Sequence, residues 1–98
     1  MGVGKIISDV LACLADDNRR KIIETLKRGK ISSGDLAEEV GMSPQALSYH
    51  LAKLKKADLI YETKYKNFIY YELDLSILDE VLVWISNLKG DDNEKKMD

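Results

Sequence analysis

Cysteine, histidine and proline each occur only once in this chain of 98 residues. The single cysteine, Cys13, excludes an intramolecular disulfide and fits a reducing cytoplasm. The sequence has no apolar run of about eighteen residues, the length that a membrane-spanning helix requires. The N-terminus also lacks the pattern of a signal peptide, because acidic residues soon interrupt its short apolar stretch. These absences predict a cytoplasmic protein without a membrane-spanning segment.

The residue patterns of common catalytic sites are also missing. The sequence contains no glycine-rich phosphate loop, no spacing that suggests a nucleophile and its base, and no cluster with metal-ligand spacing. An enzyme is therefore the least favoured class. The sole histidine, His50, could respond to pH. Without a second histidine or a Ser–His–Asp arrangement, a structural or phosphate-contacting role is favoured for it.

Charge is unevenly divided along the chain. The formal net charge is −2, and 45% of the residues are hydrophobic, enough for one domain with a real core. Residues 1–73 hold twelve basic and ten acidic side chains, whereas residues 74–98 hold three and seven. Local clustering of cations matters more for phosphate contact than the total charge. The acidic net charge therefore does not exclude nucleic-acid binding, and the small excess of basic residues over 1–73 does not establish it.

The stretch 43–54 predicts a helix with one apolar and one polar face. Ser43 suits the N-cap and Pro44 the first helical position. The apolar residues recur at helical spacing, and the other face carries hydrogen-bonding and cationic side chains: Leu47, Leu51 and Leu54 against Gln45, Ser48, Tyr49 and Lys53. Such a helix fits the DNA major groove, where polar side chains meet base edges and cations reach phosphates. We interpret it as a recognition helix, with an ordinary amphipathic surface helix as the alternative.

Three helices are predicted before it. Apolar periodicity indicates a first helix over residues 3–14 and a second over roughly 17–28. Ser32 and Asp35 form a capping-box pattern that begins a short third helix, which Gly41 closes. A short helix, a tight turn with glycine and a second helix with a polar N-terminal face together predict a helix-turn-helix.

The period then changes to alternation, which predicts a β-hairpin. The strands are 59–63 and 68–73, joined by a four-residue loop in which Asn67 tolerates the left-handed conformation. The second strand is expected to turn one set of residues to the core: Ile69, Tyr71 and Leu73. A hairpin after a recognition helix is a wing, and Lys64 and Lys66 are placed to neutralise phosphates. The alternative is a solubilising charged loop.

Residues 75–88 return to helical spacing with more apolar surface than one contact with a small domain requires. We interpret the excess as the surface for a second copy, packed with the first helix, with full burial inside one chain as the alternative. The expected interface residues are Ile7, Val10, Leu11, Leu78, Val81, Leu82, Trp84 and Ile85. The sequence thus predicts one domain over 1–88 and a disordered acidic tail over 89–98.

Three segments, ADDNRRKIIETL, SGDLAEEVGMSPQALSYHLAKLKKADLI and FIYYEL, resemble the ArsR/SmtB family of bacterial winged-helix repressors. The likeness covers about residues 5–88 and is greatest to the SdpR-type autorepressors. It implies a mainly α winged helix-turn-helix with a small β-hairpin, in the order α-α-α-α-β-β-α, and a homodimer built from the first and last helices. It also implies that the homodimer binds a palindromic operator, and so lies in the bacterial nucleoid. The residues expected at or near the DNA groove are Gln45, Ser48, Tyr49 and His50.

The resemblance also bears on metals and partners. Many members sense metals through cysteines on the third helix, but the matching positions here are Ser32 and Gly34. The last helix has no histidine to complete the other known type of site. We therefore expect no metal and no cofactor, with a Cys13–Cys13 contact across a dimer as the remaining possibility. The resemblance further implies a membrane-associated protein as a partner that relieves repression.

Two classes of function remain. The first is a sequence-specific DNA-binding repressor, in which one set of residues reads bases (Gln45, Ser48, Tyr49 and His50) and another contacts the DNA backbone (Ser43, Lys53, Lys64 and Lys66). The second is a winged-helix protein–protein interaction module that docks another protein on its last helix. A steep salt-dependent affinity for duplex DNA distinguishes the first from the second.

Overall fold

The structure is a computed structural model and describes residues 3–90. Its elements follow the predicted order, with one added strand: α1 (Val3–Leu14), α2 (Asp17–Leu26), β1 (Ile31–Ser32), α3 (Ser33–Val40), α4 (Pro44–Lys56), β2 (Ile60–Tyr65), β3 (Phe68–Leu73) and α5 (Leu75–Lys89). None of the helices in this part of the chain is long and apolar enough to cross a lipid bilayer.

Side-chain caps fix where the central helices begin. Asp16 caps α2 by accepting hydrogen bonds from the backbone N–H of Asn18 and Arg19 at 2.8 and 3.1 Å. Ser32 and Ser43 cap α3 and α4 in the same way. These caps satisfy N–H groups that have no partner inside a helix, and they confirm the predicted starts. The second helix is shorter than predicted and ends at Leu26.

Gly41 shapes the turn of the helix-turn-helix. It ends α3 with a φ of 68°, a left-handed conformation that costs glycine nothing because it has no Cβ. Its N–H and that of Met42 bond back to the carbonyl of Ala37. The chain therefore leaves α3 and enters α4 within three residues, as predicted.

The sheet contains one strand more than the predicted hairpin. Its order is β1-β3-β2, all antiparallel, and the two residues of β1 pair with Tyr71 and Tyr70. The hairpin turn is also tighter than predicted, because Tyr65 still pairs with Phe68. The left-handed residue of this turn is Lys66, with a φ of 57°, so the assignment of that conformation to Asn67 was wrong.

The core lies between the helices and the inner face of the sheet. Its largest fully buried side chains are Val10, Ile22, Leu36, Leu54 and Leu59. Tyr71 is buried, and Ile69 and Leu73 pack against the same cluster, which confirms the predicted inward set of β3. Leu47, Leu51 and Leu54 form the buried face of α4, which leaves its other face to solvent.

Three residues assigned to a dimer interface are part of this core. Ile7, Val10 and Val81 are 3%, 0% and 5% exposed, so they have almost no surface to offer a second chain. Their assignment to the interface was therefore wrong. The reason is that α1 and α5 pack against each other within one chain, and these three residues belong to its buried core cluster.

The outer side of α5 is apolar and open. Leu82 and Ile85 are exposed there, as is Leu11 on α1, while Leu78 and Trp84 are half-buried. Leu75, Val83 and Leu88 are also exposed. The helix continues to Lys89, so the first residue of the expected tail belongs to α5. The rest of the predicted disordered segment, 91–98, lies outside the described residues.

Candidate nucleic-acid interface

The polar face of α4 is its exposed face. Gln45, Ser48 and Tyr49 all lie open to solvent, and their spacing places them on one side of a helix with 3.6 residues per turn. The cap by Ser43 and the first-turn Pro44 set this helix immediately after the Gly41 turn. Burial of the leucines on the opposite face fixes the rotation of α4. The helix therefore presents an amide, a hydroxyl and a phenol together.

Tyr49 and Lys53 form a pair on that face. The Nζ atom of Lys53 lies 5.2 Å from the centre of the Tyr49 ring, a cation–π distance. This contact keeps the ammonium group close to the polar residues of α4.

Ser43 lies exposed at the N-terminus of α4. Its Oγ accepts the N–H of Ala46 at 3.1 Å, and the hydroxyl still carries a proton that a phosphate oxygen can accept. The start of a helix also favours negative charge, because its first N–H groups point outward. The position therefore suits a backbone phosphate better than a base.

His50 is not part of this face. It is 8% exposed, its Nδ1 lies 3.2 Å from Nη1 of Arg19 in α2, and its ring meets Tyr49 edge-on. A side chain so deeply buried cannot reach a base edge without moving α4. The inclusion of His50 among the base-reading residues was therefore wrong. Its helical position, beside the buried Leu47, Leu51 and Leu54, was the signal for burial.

The wing brings two cations and two aromatic rings to its tip. Lys64 and Lys66 are exposed, and Nζ of Lys66 lies 5.4 Å from the centre of the Tyr65 ring. Tyr65 and Phe68 face each other across the turn and are both largely exposed. These aromatic side chains were not among the predicted contact residues. Their exposure depends on the tight turn, which places both rings beyond the core.

Cys13 is buried and does not face this surface. Its thiol donates to the carbonyl oxygen of Lys53 at 3.3 Å, and burial raises the pKa of the thiol above its usual value. The group is therefore a neutral thiol at physiological pH. Among residues 3–90 no three acidic, histidine or cysteine side chains lie close enough together to hold a metal ion.

A short helix, a glycine turn, a helix with an open polar face and an adjoining hairpin define a winged helix-turn-helix, a DNA-binding class of protein. Residues 16–62 match the family described as "Bacterial regulatory protein, arsR family". The chain is 36% identical over 89 residues to the transcriptional repressor SdpR of Bacillus subtilis, which covers 89% of this chain and 99% of SdpR. The chain therefore belongs to the arsR family of bacterial regulatory proteins.

Solved structures agree with this assignment. The crystal structure of NolR from Sinorhizobium fredii is 31% identical, with a TM-score of 0.70 over 89% of this chain and 87% of that one. A homodimeric winged helix-turn-helix DNA-binding domain from Mycobacterium bovis, described as a possible ArsR-family regulator, has a TM-score of 0.72. It is 22% identical over 85% of this chain and 79% of that one, and shows the fold alone. The predicted fold class and family are confirmed, and so is the prediction of a DNA-binding regulator and not an enzyme.

Proposed function

We propose that this protein is a transcriptional repressor that binds a palindromic operator as a homodimer and represses its own promoter. The observation that carries the proposal is the face of α4, the second helix of the helix-turn-helix. Gln45, Ser48 and Tyr49 lie exposed on this face, while the opposite face is buried. Gln45 suits a bidentate contact to adenine, and the hydroxyls of Ser48 and Tyr49 can donate to or accept from base edges. Bound repressor excludes polymerase and needs no chemistry of its own.

Three lysines supply the contacts to the DNA backbone in this proposal. Lys53, Lys64 and Lys66 take part in none of the six ion pairs found within residues 3–90. Lys55 differs, because it is paired with Glu62 at 2.8 Å, a hydrogen bond that raises the pKa of its ammonium group. The free lysines flank the polar face of α4 and the wing. The chain is acidic in total, so in this proposal the binding depends on these local cations and not on the net charge.

The homodimer is supported by the open apolar surface of α5 and α1. Leu82, Ile85 and Leu11 are exposed on neighbouring helices, and Leu78 lies half-buried beside them. Exposed apolar side chains on adjoining helices are typical of a surface that a partner covers. A second copy related by a two-fold axis would present the second recognition helix to a palindromic site.

We further propose that repression does not respond to metal ions. The one cysteine and the one histidine of the chain are both engaged: the Cys13 thiol with a carbonyl oxygen, and the His50 ring with the Arg19 guanidinium. A guanidinium beside the imidazole opposes a cation there. We expect the affinity for operator DNA to be the same with zinc at one equivalent per chain and with chelator. A change of tenfold or more in that titration would contradict the proposal.

Relief of repression would then come from a protein partner and not from a small ligand. The proposed partner is a membrane-associated protein that sequesters the repressor from DNA. Binding of the purified protein to membranes that contain the product of an adjacent gene, with simultaneous loss of operator binding, would test this step. Operator binding that persists in the presence of those membranes would contradict it.

The function itself is tested by selecting its DNA site. Duplexes from a random-sequence library are enriched by repeated binding to the purified protein, and the winning sequence is compared with a shuffled duplex of the same composition. We expect a selected duplex with two-fold symmetry that also occurs in the protein's own promoter region. If no sequence is enriched, or if the enriched duplex binds no better than its shuffled version, the protein-interaction module becomes the better hypothesis.

Replacing Lys66 with alanine tests the role of the wing. We expect affinity to fall equally for the selected and the shuffled duplex, because a phosphate contact carries no sequence information. The slope of log affinity against log salt should become shallower by about one per lost contact, and Lys64→Ala should behave in the same way. Lys89→Ala removes an exposed lysine from α5 and serves as the control. An unchanged salt slope in the wing variants would show that the wing does not contact DNA.

A further inference from the structure

Arg19 connects three helices at the corner between α1 and α2. Its Nε donates to the carbonyl oxygen of Cys13 at 2.9 Å, and its Nη1 lies 3.2 Å from Nδ1 of His50 in α4. Its backbone N–H donates to the carboxylate of Asp16 at 3.1 Å. The guanidinium is half-buried, which limits the part that a phosphate can reach. Arg19 thus joins the first two helices to α4 from the inner side.

The contact between Arg19 and His50 exists in one protonation state of the imidazole. A guanidinium has donors and no acceptor, so Nδ1 of His50 must accept the hydrogen bond. This hydrogen bond requires an uncharged ring that carries its proton on Nε2. Protonation of Nδ1 would remove the acceptor and place a second cation beside the guanidinium. The hydrogen bond is consequently lost when His50 becomes charged.

This inner contact lies directly behind the residues that face DNA in the proposed function. The Tyr49 and His50 rings meet edge-on with their centres 5.1 Å apart, and the ammonium group of Lys53 lies over the Tyr49 ring. One turn after His50, the Cys13 thiol holds the carbonyl oxygen of Lys53. The turn of α4 that presents Tyr49 and Lys53 is therefore attached at both ends to the corner around Arg19. A shift of this turn would move both outer side chains.

We propose that Arg19 is a positioning residue for DNA recognition, acting through His50, and that it holds α4 in its binding position only while His50 is neutral. The inference rests on the proposed function. Because Arg19 acts on the placement of the turn that presents Tyr49 and Lys53, its loss lowers the affinity for the selected duplex more than the affinity for the shuffled duplex, which depends on phosphate contacts alone. Acidification has the same effect, since it removes the acceptor.

The charged and titratable groups around His50 come from three helices. Three of them lie next to the ring: Asp16, the N-cap of α2, Arg19 in α2, and Tyr49 in α4. Arg19 and Tyr49 in turn contact Cys13 of α1 and Lys53 of α4. Backbone N–H groups, first that of Arg19, lower the pKa of Asp16, so this carboxylate stays charged. Burial raises the pKa of Cys13, so this thiol stays neutral. Histidine is the side chain that ordinarily titrates between about pH 5 and 8, and the chain has one.

The test compares the wild-type protein with three variants. Arg19→Ala removes the donor, and His50→Asn keeps an acceptor near the position of Nδ1 that does not titrate. Arg20→Ala is the matched control, because Arg20 also donates to a carbonyl at the end of α1, that of Leu14, and has no contact with α4 among its hydrogen bonds. Dissociation constants are measured for the selected and the shuffled duplex at pH 7.5 and 5.5, at constant salt and at a temperature where circular dichroism shows each variant folded.

The wild-type protein is expected to bind the selected duplex about tenfold more weakly at pH 5.5, the equivalent of one hydrogen bond to a charged group. Arg19→Ala should show that weaker binding at both pH values. His50→Asn should bind like the wild-type protein at pH 7.5 and lose nothing at pH 5.5. Arg20→Ala should keep the affinity and the pH dependence of the wild-type protein.

Tighter binding on acidification would overturn the inference, because that is the behaviour of a histidine that contacts phosphate. Equal weakening by Arg19→Ala and Arg20→Ala would also overturn it, since both then act through general destabilisation. If Arg19→Ala does not fold, the wild-type protein and His50→Asn still decide, because only the former should depend on pH.

A second measurement needs no DNA. The ring ¹⁵N resonances of the single histidine are expected to show a protonated Nε2 and a hydrogen-bonded Nδ1 in the wild-type protein, and a free Nδ1 in Arg19→Ala. Identical resonances in the two proteins would overturn the inference. Failure to enrich any duplex would instead overturn the proposed function, and the inference with it, whereas enrichment without the pH effect would overturn the inference alone.

Discussion

Replacing Leu82 with glutamate is expected to give a folded monomer that binds the selected duplex at least about a hundredfold more weakly. A monomer binds one half-site at a time, whereas a dimer binds both half-sites together and gains affinity from the link between them. Leu82 is 61% exposed, so the change should not disturb the core of one chain. In a two-fold dimer the same position meets its counterpart or a neighbour of it, and two carboxylates would be buried without partners. Sedimentation velocity and the dissociation constant of the selected duplex measure the two effects.

Val83→Glu is the matched control for Leu82→Glu. Val83 is 60% exposed and adjacent in sequence, but it points about 100° away around the axis of α5. We expect this variant to remain a dimer and to keep its affinity for DNA. If Leu82→Glu also remains a dimer with normal affinity, the interface lies elsewhere. The reverse pattern, with only Val83→Glu dissociating, would place the interface on the other side of α5.

Replacing Gln45 with alanine is expected to weaken binding to the selected duplex by about 1–3 kcal/mol, the discrimination that a bidentate amide contact to one base provides. The affinity for the shuffled duplex should not change, since Gln45 carries no charge. Gln45 is exposed near the N-terminus of α4, so its loss should not affect folding. Binding to both duplexes and thermal unfolding of the variant measure these effects.

A repeated selection with the Gln45 variant gives a sharper result. We expect the preference to relax at one base pair in each half-site and to persist at the others. Asn87→Ala removes an exposed amide from α5, away from the proposed DNA surface, and serves as the control. Equal losses on the selected and the shuffled duplex would show that Gln45 does not read sequence.

Local signals in the sequence were sufficient for most of the secondary structure. The caps at Asp16, Ser32 and Ser43 and the left-handed Gly41 each act within a few residues, so their effect can be read without knowing the fold. Strand β1 was not predicted, because its two residues are too few to show an alternating pattern. The position of the left-handed residue in the wing depended on the strand register, which extends pairing to Tyr65 and Phe68.

The sequence by itself determined the family, the helix-turn-helix and the polar face of α4, because periodicity shows which side of a helix is apolar. Only the tertiary structure decided what covers each apolar side. Val10 and Val81 fill the core of one chain, whereas Leu82 remains open, although all three belong to helices of similar pattern. The burial of His50 was likewise decided by tertiary packing, because its contact with Arg19 joins residues 31 positions apart in the sequence. The spacing of hydrophobic residues predicts that one side of a helix will be buried. Which element or second chain covers that side depends on contacts between distant parts of the sequence.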